Sequence, residues 1–368
     1  MRELLVLGLL LPAAASAAWQ PLLNGRDLTG WTHEGPRATF GFSNGELSTS
    51  GAGSQPNWLH TDREYENFRL RFDYKLAQWA EAAVVLRAPR LGRPMQAGIS
   101  LTLAHDFHND HTPWVTGAIT GAVKPAVLRP VDFEKWHAVR IDLDQDHLKV
   151  EIDDAVVQDI HLDQHAEPRY RLRRGFVGFP DLGYKYSIRN VEIEELPSNV
   201  KYTDLFDGRT LAGWTLRNEG TWSVNDGAIT GANGHGILYS TPVLTDFEFT
   251  ALVRSHNRVN AGIFLRGSPD LKQHRGFEVQ IYSPVDAVFP TGSIYAKQRS
   301  NITADYEERW FLMQIRVQGA KCLVRIDGVT VAEYDGLKGP DLAPGRIGLQ
   351  IHMENASVEF RDLRVRPL

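Results

Sequence analysis

The sequence predicts an all-β protein built as two tandem antiparallel β-sandwich domains, on three observations. One series of sequence blocks occurs twice in the same order, short stretches alternate apolar with polar residues, and no helical period is sustained beyond the N-terminus. The chain has 368 residues, 42% hydrophobic and 23% charged, the balance of a globular protein with room for two cores.

The duplication is the strongest of the three. Asn24-Gly25-Arg26-Asp27-Leu28-Thr29-Gly30-Trp31 returns as Asp207-Gly208-Arg209-Thr210-Leu211-Ala212-Gly213-Trp214. Phe42 to Leu47 returns as Val224 to Ile229, Val85-Leu86-Arg87 as Phe264-Leu265-Arg266, and Thr116 to Ile119 as Thr291 to Ile294. Lys135-Trp136 matches Arg309-Trp310, and Ile188 to Ile193 matches Phe360 to Val365. A whole domain has been copied, with its join at Pro197-Ser198-Asn199. The expected division is residues 19–197 and 201–368, after an N-terminal segment 1–18.

Within each copy, Phe68 to Leu76, Ala138 to Leu143 and Leu148 to Ile152, with their counterparts Phe247 to Val253, Leu312 to Val317 and Cys322 to Ile326, alternate with period two. Asn44-Gly45 and Asp226-Gly227 are hairpin-turn dipeptides. Residues 1–18 carry an early Arg2, an apolar run from Leu4 to Leu11 and a small-residue stretch, the pattern of a secretory signal peptide. An exported protein, periplasmic or secreted, is expected, with no transmembrane segment in the mature chain. The single cysteine, Cys322, excludes an internal disulfide and is expected in the core. A net charge of −5 with scattered basic residues points away from nucleic acid.

The motifs "FDGRTLAGW", "WSVNDGAI", "AGIFLRG", "GFEVQIY", "TGSIY", "ERW" and "GRIGLQIH" followed by "VEFRDLRV" resemble the 3-keto-disaccharide hydrolase family. The resemblance spans nearly all of residues 202–368, and the first copy carries the same frame with weaker motifs. It implies a concanavalin-like jelly-roll sandwich and cleavage of glycosides oxidised to a ketone at C3, by hydrolysis or by elimination across C1 and C2.

Sorting polar groups by strand face locates the candidate chemistry. In "GFEVQIYSP", Phe277, Val279 and Ile281 share one face, while Glu278, Gln280 and Tyr282 share the other. The same reading puts Arg266 beside Phe264, and Gln350 beside His352, opposite Leu349, Ile351 and Met353. At the matching places the first copy has Ser100, Thr102, Pro180 and Leu182, and Tyr295 becomes Thr120; only the arginine persists, as Arg87. The second copy is therefore expected to carry the site. Glu278 is the candidate base, with metal ligand as its second role; Arg266 would stabilise negative charge and His352 relay a proton. Gln280, Gln350 and Tyr295 would orient sugar hydroxyls, with Lys297 as an electrostatic candidate. A divalent metal ion remains open as cofactor.

Blander readings stand beside these. Glu278 could be a solvated strand residue, His352 a surface histidine and Arg266 a structural partner of Glu278. The run His105 to His111 has metal-ligand residue types without a standard spacing. Trp58, Trp79 and Trp114 are expected to be exposed and would suit sugar stacking, in an enzyme or in a non-catalytic lectin-like protein. A scaffold whose two sandwiches bury a mutual interface is the third reading.

Overall fold

The computed structural model describes residues 18–35, 39–52, 57–104, 111–198, 200–270, 272–273 and 275–368. All but the last residue of the expected signal segment lies outside them, as does His105 to Asp110. Each copy folds as a two-layer sandwich, and the named strands pair antiparallel throughout.

In the first sandwich an eight-stranded sheet backs a five-stranded front sheet, ordered Trp31–Glu34, Trp58–Thr61, Phe176–Pro180, Glu81–Ala88, Ile99–Ala104. The second repeats that front order with 214–219, 234–240, 346–353, Ala261–Gly267 and Phe277–Ile281. Here the strands Ala228–Ser240 and Arg346–Pro367 run on through both layers, so the sheets merge into one ten-stranded network. A register shift between Ala232 and Gly234 marks the corner between layers. Met353 pairs with Gly234 at this corner and is exposed, which corrects its expected place with Leu349 and Ile351.

The alternation expected from sequence is the packing that forms. Phe247, Phe249, Ile263, Leu265, Val279, Phe311, Leu349 and Ile351 fill the space between the second domain's layers. Each such side chain contributes about 1.5–3 kcal/mol by leaving water. Cys322 lies in this core, and burial raises its thiol far above the usual range. Asn44-Gly45 and Asp226-Gly227 each have two consecutive positive φ values (53° and 78°, 48° and 75°), the geometry that lets a two-residue turn follow strand twist.

The sandwiches dock asymmetrically. Ala97 and Leu172 of the first pack on Leu252 and Leu312, on the outer surface of the second domain's back sheet. Arg90 holds Asp362 through two hydrogen bonds of 2.9 and 3.0 Å, and Arg364 meets Glu64 at 2.8 Å. Segment 89–97 lies across the first domain's front sheet, where the Trp58 indole donates to the Arg90 carbonyl at 3.0 Å. Trp58 is 1% exposed among Val85, Ala88, Met95 and Phe176, so it has no face for a sugar. Trp79 and Trp114 are exposed. The second domain's front sheet lies on the side away from the junction.

Candidate functional site

Strand register decides which side chains share the second domain's front surface. Gln350, Gly262 and Gln280 are aligned across three neighbouring strands, and Gly348, Phe264 and Glu278 form the next row. Residues directly opposite in a ladder point to the same side, as do residues two apart. Glu278, Gln280, Gln350 and His352 therefore share one outer surface, backed by the core residues Val279, Ile263 and Leu349. The first copy's rows match: Ser100 pairs with Val85, Val85 with Gly178 and Gly178 with His60, where the second copy has Glu278, Phe264, Gly348 and Tyr239.

Glu278 is the unusual member. An ideal Cβ on Gly262 would stand 2.0 Å from its Oε1, so the carboxyl lies folded over that glycine. Oε1 is buried without a hydrogen-bond partner. Burial pushes the Glu278 carboxyl up from 4.5 to about 7, because the charged form loses water and gains no donor in exchange. The first copy has Ala83 at the Gly262 position and Ser100 at the Glu278 position. The carboxyl and the space for it are thus present together and absent together.

The amides around it are anchored. Gln280 Nε2 donates to Asn260 Oδ1 at 2.8 Å, and the Asn260 carbonyl accepts from the His352 amide at 2.9 Å. The His352 ring is exposed and meets His235 edge-on, with centroids 4.4 Å apart. From Glu278 to His352 the lattice runs two strands across and four residues along, about 16 Å between Cα atoms. His352 thus sits at the rim of the surface, too far along it to share one substrate atom with Glu278, which corrects the proton-relay role expected of it beside that carboxyl.

Arg266 does not belong to this surface. A register shift between Phe264 and Gly267, with φ of 54° at Arg266, turns the side chain inward. Its guanidinium donates to the carbonyls of Thr245, Gly319 and Asp341 and to Asp246 Oδ1, at 2.7 to 3.0 Å. Arg87 repeats this with φ of 49° and bonds to the carbonyls of Glu66 and Gln145 and to Asn67 Oδ1. The arginine persists in both copies because it ties loops to the sandwich, and the catalytic role expected of Arg266 is withdrawn. Nor does it pair with Glu278.

Two residues that sequence reasoning passed over supply the polar groups it sought in Arg266. Arg217 lies in the Gln350 row and Tyr239 in the Glu278 row. The Tyr239 ring covers Gly348, and its phenol interacts with Arg217 and with the Glu278 charge; burial raises it. Arg217 donates to the Ser268 carbonyl at 2.9 Å, leaving a buried Nε without a partner. The first copy has Glu34 and His60 at these places.

Tyr295 stands at the edge of the surface, exposed on its loop. Its amide donates to the Glu278 carbonyl at 2.9 Å and its ring lies 5.3 Å from Phe289. Lys297 is drawn away by an ion pair with Asp341 at 2.8 Å, which answers its expected electrostatic role with a structural one. Among the described residues no three His, Cys, Asp or Glu side chains converge to hold a metal ion, so Glu278 has no co-ligands there. His111, at the end of the histidine-rich run, bonds its ring to the Pro125 carbonyl.

Two jelly-roll sandwiches, one with a polar front face around a buried acid, make this a tandem β-sandwich protein with one candidate site. The chain belongs to the family of 3-keto-alpha-glucoside-1,2-lyase-like domains, whose profile matches it twice, over residues 18–194 and 201–366. Among solved structures, it is similar to a protein of Parabacteroides distasonis provisionally described as a glycosyl hydrolase. The identity is 19%, covering 49% of this chain and all of that one, with a TM-score of 0.43. A carbohydrate-binding module of Bacillus subtilis is 20% identical over 41% of this chain and 94% of its own, with a TM-score of 0.32. No curated protein matches the chain.

Proposed function

We propose that the protein cleaves glycosides oxidised to a ketone at C3, with its chemistry on the front face of the second domain. The observation that carries this reading is Glu278, whose Oε1 is buried without a hydrogen-bond partner and whose carboxyl is pushed by burial up to about 7. A base of that strength suits removal of a proton acidified by a neighbouring ketone. Glu278 would take the C2 proton, and the C–H electron pair would move onto the C3 oxygen as an enolate. Collapse of the enolate breaks the bond from C1 to the aglycone oxygen, which leaves as the alcohol by taking a proton from water, while Glu278 returns its own proton to solvent. Addition of water to the unsaturated ketose would complete net hydrolysis. Arg217 and Tyr239 are the groups that would steady the developing negative charge, and Gln280, Gln350 and Asn260 would hold hydroxyls.

The decisive assay follows loss of a 3-keto-glucoside with purified protein, with and without chelator. Turnover that falls about 10²–10⁴-fold in Glu278→Gln supports the reading. The wild-type rate should rise with pH through about 7 as the carboxyl ionises. Binding of unmodified sugars with no turnover of any ketoglycoside would instead make the protein a lectin. We also propose export, from the signal-like pattern of residues 1–18; N-terminal sequencing of secreted or periplasmic protein should then begin near Trp19.

A further inference from the structure

A cleft of about 450 Å³ opens at the junction of the two domains, on the far side of the second domain from Glu278. Its walls carry Arg169 and Arg173 from the first domain and Arg316, Lys321 and Arg366 from the second. Opposing them are Asp163 and Glu333, together with Glu248, which meets Arg316 at 3.9 Å and Arg366 at 3.0 Å. Five cations against three carboxylates leave a positive excess, in a chain whose net charge is −5. Arg173 is only 8% exposed, and its Nη1 has no hydrogen-bond partner. Its Nη2 is taken by Asp163 and by the Arg169 carbonyl. A buried guanidinium with an unused donor is costly, and an oxyanion is the group that best removes that cost.

We propose that this junction binds a small ligand bearing an oxyanion (a phosphate, sulfate or carboxylate group) and that the ligand bridges the two domains. The cleft is large enough for a monosaccharide-sized molecule. Arg173 and Arg169 approach from one domain and Arg316, Lys321 and Arg366 from the other, so occupancy couples the sandwiches. The site is independent of the ketoglycoside chemistry: it shares no residue with the Glu278 surface.

The test is calorimetric titration and thermal unfolding of the full chain with inorganic phosphate, sulfate and glucuronate, at matched ionic strength, with glucose as the neutral control. Saturable binding of at least one oxyanion, a raised melting temperature and no response to glucose are expected. Arg169→Gln and Lys321→Gln alter exposed side chains, so both variants should fold; each should weaken binding about tenfold. The preferred probe identifies the source, inorganic anion or sugar acid. Absence of saturable binding for all three oxyanions, or unchanged affinity in both variants, overturns the proposal.

Discussion

Glu278 makes the protein less stable than an uncharged residue would, and the sign of that effect can be followed with pH. Its folded carboxyl titrates near 7 and its unfolded one near 4.5, so between these values the folded state holds the proton more tightly. Stability from this group is therefore greatest at low pH, falls as pH rises from about 4.5 to 7, and stays low above that. The full penalty is about 3 kcal/mol. Glu278→Gln should accordingly be more stable than wild type in denaturant at pH 8, by about 2–3 kcal/mol, and close to it at pH 5. Equal stability at pH 8 would show that water or a donor already satisfies the carboxylate. Gly262 poses a sharper steric question, since a single methyl there would meet Oε1 at 2.0 Å. Gly262→Ala should displace the carboxyl and lower turnover about 10²-fold, with little loss of melting temperature. The reciprocal Ala83→Gly, beside Ser100, should leave turnover unchanged.

At the scale of strands, the regular parts were legible and the irregular parts were not. Phe277–Ile281 has no bulge, so period two assigns Glu278 and Gln280 to the outer surface as the structure does. The strand Ala261–Gly267 breaks that period at Arg266, whose positive φ no alternation rule anticipates for a non-glycine residue. Arg217 and Tyr239 were hidden for a related reason: their two strands pair beside the glycine-rich stretch Gly231 to Gly236, which carries too few side chains to show its faces. Persistence of an arginine between copies was the available clue that it serves the frame. Arg266→Ala and Arg87→Ala should each unfold their domains more readily, by about 3–5 kcal/mol, because each leaves buried loop carbonyls without a donor. Paired thermal denaturation of the two variants checks this; a normal melting temperature in Arg266→Ala with lost turnover would return that residue to the site.

At the scale of the whole molecule, duplication has given the copies different work at the junction. Glycine is required at Gly328 by the neighbour more than by the turn. Asp327 and Gly328 have φ of 48° and 83°, and the equivalent hairpin of the first copy uses Asp153 and Asp154 at 46° and 64°. An aspartate thus satisfies this turn where its side chain can point into solvent: that of Asp154 is 90% exposed, with only the exposed Arg140 guanidinium near it at 3.9 Å. At Gly328 a Cβ would stand 2.2 Å from the Gln96 carbonyl oxygen of the first domain, which is backbone and cannot swing aside. Gly328→Asp should therefore keep the hairpin and push the domains apart. It would strain the packing of Ala97 and Leu172 on Leu252 and Leu312 and the Arg325–Glu167 pair at 3.1 Å. Scanning calorimetry should show a single unfolding transition in wild type and two in the variant, while Asp154→Gly changes neither number nor order. A single transition in Gly328→Asp would mean that the rest of the interface is sufficient to hold the sandwiches together.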